Sequence, residues 1–162
     1  MPLPLLLDSN ILNCVIRPEV DENKPVASVV LRLLEDTLFE VCVPEIIDYE
    51  VRRKLRHLSQ HRHHARKWAH DALARLDEIV EVGYVPLTTR TMRLAADLWA
   101  KSRGQGQLRG PEESLDVDVI LAAQAKQAGG HVVTLNERHF KDLADVFDLR
   151  PYRQPSSIEP SD

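Results

Sequence analysis

Three carboxylates stand where the surrounding sequence has little use for a charge. Asp8 closes the apolar run Leu3–Leu7, Glu50 interrupts the apolar stripe of "EIIDYEVRRKL", and Asp118 heads "DVILAAQA", a segment otherwise small or apolar. With Ile47 set at 0° and about 100° per residue, Ile46 falls near about 260°, Val51 near about 40° and Glu50 near about 300°. Glu50 therefore faces the apolar sector between Ile46 and Ile47. Half-burying a carboxylate is expensive unless a cation meets it. Lys54, one turn on, offers an ordinary i,i+4 pair, and a metal ion offers the alternative. Asp8 has a similar double reading, because Asp8 or Ser9 would also serve as N-cap to a helix starting at Ile11. Asp118, with Asp116 two residues earlier, would gain from the positive end of a helix dipole whether or not it meets a ligand. Hard oxygen donors with few nitrogen or sulfur ligands select Mg²⁺ or Mn²⁺ over zinc. Such an ion lowers the pKa of bound water and neutralises charge on a phosphodiester, which is metal-dependent phosphoryl chemistry.

The elements around these acids follow an α/β pattern. Leu3–Leu7 is apolar on both faces and five residues long, which fits the central strand of a parallel sheet. Asp8 then stands at its carboxyl end, where open α/β sheets place their sites. The spacing of Val29, Val30, Leu33 and Leu34 predicts a helix over 26–38, and Phe39–Val43 reads as a second buried strand. Pro44 suits the first position of the next helix, whose stripe is Ile46, Ile47, Val51, Leu55 and Leu58. Trp68, Ala69, Ala72, Leu73 and Leu76 carry a further helix, followed by an extended "EIVEVGYVPL". Thr88 caps a helix expected over 89–102, with Met92, Ala95, Ala96 and Trp99 inward. Arg103–Ser114, with three glycines and a proline, is expected to be a mobile loop, and Ser114 the N-cap of the helix that carries Asp118. Gly129 and Gly130 stop that helix, and His131–Leu135 is a β-branched strand ending at Asn136. Beyond Phe140 a short helix and an irregular or edge segment are expected, then a disordered Pro/Ser tail over 151–162.

Composition narrows the function classes. The chain has 162 residues, 43% hydrophobic and 28% charged, which suits one globular domain over 1–150. No apolar run approaches the ~20 residues of a membrane span, and the apolar start is too short for a signal peptide. Cys14 and Cys42 lack metal-ligand or CxxC spacing and read as buried thiols of a reducing, cytoplasmic compartment. A net charge of −4 excludes general adhesion to nucleic acid, so such a partner would need a local basic patch. Residues 51–70 supply one: seven Lys/Arg, no acid, and five of the seven histidines. That run is either a solvated helix face or a phosphate-tracking rim made by Arg52, Arg53, Arg56 and Lys67. His57, His61 and His64 share a helical face but lack a HExxH arrangement. No GxGxxG or GxxxxGK[ST] loop occurs, and Asn10 stands where a haloacid-dehalogenase-type phosphatase would want a second aspartate.

Four pieces, "LLLDSNIL", "VPEIIDYEVRRKL", "DVILAAQA" and "VVTLNERHF", resemble in order and spacing the PIN-domain nucleases, especially the toxin subunits of VapBC-type toxin–antitoxin pairs. The resemblance implies a three-layer α/β/α fold with a central, mainly parallel β-sheet. It implies that Asp8, Glu50 and Asp118 are the catalytic acidic triad and hold Mg²⁺ or Mn²⁺. Asn136 matches a fourth ligand position that is often aspartate, which weakens a second metal site without abolishing it. Asp116 is an additional acid expected to assist the metal, while Asn10 and Thr134 match polar positions that orient the triad. Cleavage of single-stranded RNA to 5′-phosphate and 3′-hydroxyl ends is implied, with the Arg52–Lys67 region as the RNA surface. The implied partners are RNA, a small antitoxin protein and further copies of the chain in a homodimer or higher oligomer. The competing reading is a PIN-like RNA-binding module with weak or no nuclease activity.

Overall fold

The computed structural model describes residues 1–104 and 112–152, the side chains of 112–115 excepted. Among these residues four parallel strands lie in the order β3-β2-β1-β4, flanked by six helices in an α/β/α arrangement. The strands are β1 Leu3–Leu7, β2 Phe39–Pro44, β3 Tyr84–Val85 and β4 His131–Val133. The helices are α1 Ser9–Ile16, α2 Lys24–Glu35, α3 Glu45–His61, α4 Arg66–Val82, α5 Thr89–Gly104 and α6 Glu112–Ala128. β1 is central, with Leu5 opposite Val41 on one side and His131 on the other. A strand covered on both faces cannot alternate polar and apolar residues, and Leu5, Leu6 and Leu7 are all fully buried. α6 lies against β1 and β4, α3 packs on α4, and α5 on α6.

Several boundaries differ from the sequence pattern, each for a packing reason. "EIVEV" is helical: α4 continues to Val82, because Ile79 falls three residues after Leu76 and both are buried. Tertiary packing overrides the strand propensity of a β-branched pair there, leaving only Tyr84–Val85 to pair with β2. α2 stops at Glu35, and Leu38 is exposed rather than part of its stripe. On α5 the inward positions are Thr91 and Ala95, while Met92 and Ala96 are exposed. Thr91 is tolerated inside because its hydroxyl meets Thr88 Oγ1 at 2.9 Å and Gln127 Oε1 at 2.7 Å. The Thr88 cap is present, its hydroxyl accepting from Thr91 N at 3.0 Å. α5 reaches Gly104 and α6 begins at Glu112, so Ser114 lies within the helix instead of capping it. Residues 105–111, the rest of the expected loop, fall outside the described residues.

The return into β4 depends on two glycines. Gly129 has φ 67°, the left-handed conformation that ends a helix cheaply only in glycine. Gly130 has no room for a Cβ, which would collide with the carbonyl of Pro4 in β1. After β4 the chain makes a 3₁₀ turn over Glu137–Phe140, with Phe140 fully buried, and turns stand at 141–144 where the short helix beyond Phe140 was expected. Val146 then bridges Val132, and Phe39, Phe147 and Tyr152 stack edge to face or tilted. Arg150–Tyr152 is a 3₁₀ turn held by that cluster, not the start of a loose tail; 153–162 lie outside the described residues. Cys14 and Cys42 are buried and free. No helix among the described residues is long and apolar enough to cross a membrane.

Candidate active site

Asp8 leaves β1 with its side chain buried and both carboxylate oxygens engaged. Oδ1 accepts from Ser9 N at 2.7 Å and Oδ2 from Thr134 Oγ1 at 2.7 Å. Its backbone carbonyl starts α1 by accepting from Ile11 N and Leu12 N. Asp8 thus caps α1 from the carboxyl end of β1, and the capping reading holds. Thr134, the first residue past β4, is the joint of the site. Its hydroxyl donates to Asp8 and accepts from Asn10 Nδ2 at 3.4 Å and from Asn136 N at 3.0 Å. Asn10 Oδ1 in turn accepts from Leu135 N at 3.2 Å, so Asn10 and Thr134 clip the start of α1 to the loop after β4.

Glu50 projects from α3 with only 16% of its side chain exposed. Oε1 accepts from Lys54 Nζ at 3.3 Å, whereas Oε2 is buried without any partner. Lys54 is itself largely exposed, so the pair is weak compensation for the buried charge. Asp118, 15% exposed on α6, has Oδ2 at 3.2 Å from His139 Nδ1. Its carboxyl is pushed up to about 6, first by burial and then by the charge of Asp8; His139 opposes the shift and Glu50 adds to it. Asp8 is likewise raised, chiefly by burial, with its Thr134 and Ser9 hydrogen bonds pulling the other way and Glu50 contributing repulsion. The three acids therefore feel one another, although they come from β1, α3 and α6. Asp8 and Asp118, crowded and raised in proton affinity, call for a cation.

Three of the donors fit a hard divalent ion in kind: oxygen ligands, one of them an orphaned buried oxygen. They are not gathered as a ready ligand set, since among the described residues no three His, Cys, Asp or Glu side chains form one. Each of two acids has a partner of its own instead, Asp118 turned to His139 and one oxygen of Glu50 to Lys54. His139 is the participant that sequence reasoning missed. It sits in "NERHF", and only the 3₁₀ turn anchored by Phe140 brings it over α6.

The remaining candidates are placed as follows. Asn136 is exposed and lines an open cleft of about 520 Å³ beside Thr134 and His139. Asp116 does not join the acids: two residues from Asp118 is about 200° around a helix, and it lines a groove with Met92 and Trp99. Arg52 bonds Asp48 at 2.9 Å and Asp77 at 2.7 Å, tying α3 to α4, and Lys67 pairs with Asp71 at 3.0 Å. Arg53 lies over the exposed ring of Tyr49, and Arg56 is exposed. α3 ends at His61, so His64, in a separate turn over His63–Ala65, does not share a face with His57 and His61.

The PIN domain family model matches residues 5–146. Among solved structures, FitAcB from Neisseria gonorrhoeae is similar at 22% identity, with 89% of this chain and 96% of that chain covered and a TM-score of 0.66. DNA-bound VapBC from Salmonella typhimurium gives 19% identity, 90% and 98% coverage and a TM-score of 0.66. VapBC2 from Rickettsia felis, bound to a DNA fragment from their promoter, gives 15% identity, 90% and 96% coverage and a TM-score of 0.65. Identities this low speak for a shared fold. No curated protein sequence matches the chain.

Proposed function

The chain belongs to the PIN domain family, and from that premise we propose that it is a metal-dependent endoribonuclease acting on single-stranded RNA, the toxin of a toxin–antitoxin pair. The observation that carries the reading is the unpartnered, buried Oε2 of Glu50, set in the mutual repulsion of Asp8, Glu50 and Asp118. A core-facing carboxylate oxygen without a hydrogen-bond donor is costly for the fold, and a bound cation would relieve it. Asp8, Glu50 and Asp118 would hold Mg²⁺ or Mn²⁺, with Asn136 the nearest further candidate along the loop after β4. The ion, when bound, supplies an activated water and neutralises charge on the phosphodiester.

The chain's own residues do the positioning. Thr134 and Ser9 fix the Asp8 carboxylate, leaving it little rotational freedom. Asn10 ties the same corner to Leu135, so the ends of β1 and β4 cannot drift apart. His139 and Lys54 meet Asp118 and Glu50 and would give way to a bound divalent ion. On the RNA surface, Arg53 and Arg56 are better placed to track phosphates than Arg52 and Lys67, which are engaged with Asp48, Asp77 and Asp71. The toxin role and a small antitoxin partner are supported by the sequence resemblance to VapBC-type toxin subunits and by the fold shared with VapBC and FitAcB structures.

The test is cleavage of a fluorescent single-stranded RNA with Mg²⁺ or Mn²⁺ and with EDTA, for wild type and Asp118→Asn. Metal-dependent cleavage that the substitution abolishes is expected, and inhibition by the co-expressed product of an adjacent reading frame would mark the antitoxin. Equal cleavage by the variant would place the activity elsewhere. The absence of a gathered ligand set favours one second reading, an RNA-binding module, which predicts that the wild type binds RNA without cutting it.

A further inference from the structure

Beside the acids, the loop after β4 and the segment 148–150 enclose the open cleft of about 520 Å³. That volume lies within the range of small-ligand sites. Two residues belong to both places. Thr134 lines the cleft and donates to Asp8, while His139 lines it and contacts Asp118. Anything seated in the cleft is therefore a direct neighbour of the reacting centre.

The lining does not suit a phosphate. Glu137 and Asp148 oppose Arg138 and Arg150, so an anion meets repulsion as well as attraction. Arg150 grips Asp148 through Nε at 2.9 Å and Nη2 at 2.8 Å, which fixes the guanidinium plane. Glu137 is near enough for its charge to act on Arg150, with Glu137 in the loop after β4 and Arg150 in the facing segment. Leu135, 43% exposed, adds an apolar surface to the same lining. A neutral, flat ligand with donors on one edge and acceptors on another matches this set. Single-stranded RNA offers such groups when a base is splayed out of the stack. Among the bases, guanine presents N1–H and N2–H₂ to a carboxylate and O6 and N7 to a guanidinium at once. Adenine, cytosine and uracil each leave at least one of those partners unmet.

We propose, resting on the nuclease reading above, that this cleft is a base pocket for the nucleotide next to the scissile phosphate, and that Glu137 and Arg150 make it prefer guanine. Two measurements on the full chain test it. In the first, 5′-GMP, 5′-AMP, 5′-CMP and 5′-UMP are titrated into the metal-free protein, its amide spectrum reporting binding. GMP should bind at least about tenfold more tightly than the others, and Glu137→Gln and Arg150→Ala should each erase that margin. In the second, cut sites on a randomised single-stranded RNA are mapped with Mg²⁺ present. Guanine should be enriched beside the cut for wild type and not for either variant. Both positions are on the surface, and a thermal melt confirms that the variants fold.

The outcomes separate the two proposals. Cleavage without base preference, or a guanine preference that both variants retain, overturns the pocket and leaves the nuclease reading standing. GMP selectivity lost in the variants, in a protein that cuts no RNA, supports the pocket and removes the nuclease. Neither selectivity nor cleavage removes both.

Discussion

Replacing Asp118 by Asn should stabilise the metal-free protein near neutral pH, and by an amount that depends on pH in a defined sense. The folded carboxyl titrates at about 6, against 3.8 for the free side chain. The fold therefore favours the protonated form. The associated stability is fully present below the unfolded pKa and is lost as pH rises through about 4 to about 6. That difference corresponds to ~3 kcal/mol at full value. Asp118 keeps some contact with water, and the substitution also gives up the His139 pair, so a net gain of about 1–2 kcal/mol is expected above about pH 6.5. In a domain of this size that is a rise in Tm of roughly 3–6 °C. The assay is a series of melts in EDTA from about pH 4 to pH 8. The difference between variant and wild type should be small at the acid end, grow through the window and then level. Added Mg²⁺ should raise the wild-type Tm and leave the variant where it was, because a ligand that binds only the folded state stabilises it by mass action. A variant less stable than wild type at about pH 7.5, or a difference that ignores pH, would refute the crowded-carboxylate account.

Three further outcomes follow from the same geometry. Thr134→Val removes the donor to Asp8 Oδ2 and the acceptor for Asn10 and Asn136; it should cost about 2–3 kcal/mol in urea melts, and wild-type stability would show that the joint is dispensable. Gly130→Ala drives a Cβ into Pro4 and should cost about 2 kcal/mol or more by prising β4 from β1, while Gly129→Ala, with open space but φ 67°, should cost only about 1 kcal/mol; equal effects would refute the close-approach explanation. Neutralising Arg53 and Arg56 together should flatten the salt dependence of RNA binding by ~0.7 per lost phosphate contact on a log–log plot, whereas an unchanged slope would mark that face as merely solvated.

Part of the candidate site was legible because burial leaves a local trace. An acid at the end of a doubly covered strand, or inside the apolar arc of a helix, contradicts its neighbours, and Asp8, Glu50 and Asp118 do so within a few residues each. Thr134 and Asn10 were reachable only through resemblance, since nothing near them in sequence says that they meet. His139 left no trace of its own: it reaches Asp118 across 21 positions through the turn that Phe140 anchors. Arg52 misled for the complementary reason. Its run contains no acid, yet Asp77 reaches it from the next helix and turns a nominal phosphate contact into an interhelical bridge.

The sequence by itself determined the elements whose pattern is local. These are the buried central strand, the α3 stripe with a misplaced glutamate, the glycine stop after α6 and the alternation that makes a parallel sheet the economical layout. Only the tertiary structure decided where pattern and packing disagree. It made "EIVEV" a helix, because Ile79 shares the buried face of Leu76. It set Asp116 in a groove with Met92 and Trp99, where α5 packs on α6. It folded Tyr152 onto Phe39, where a Pro/Ser-rich end gave no reason to expect order. Long-range contacts depend on which surfaces meet, and a single sequence does not record that at any one position.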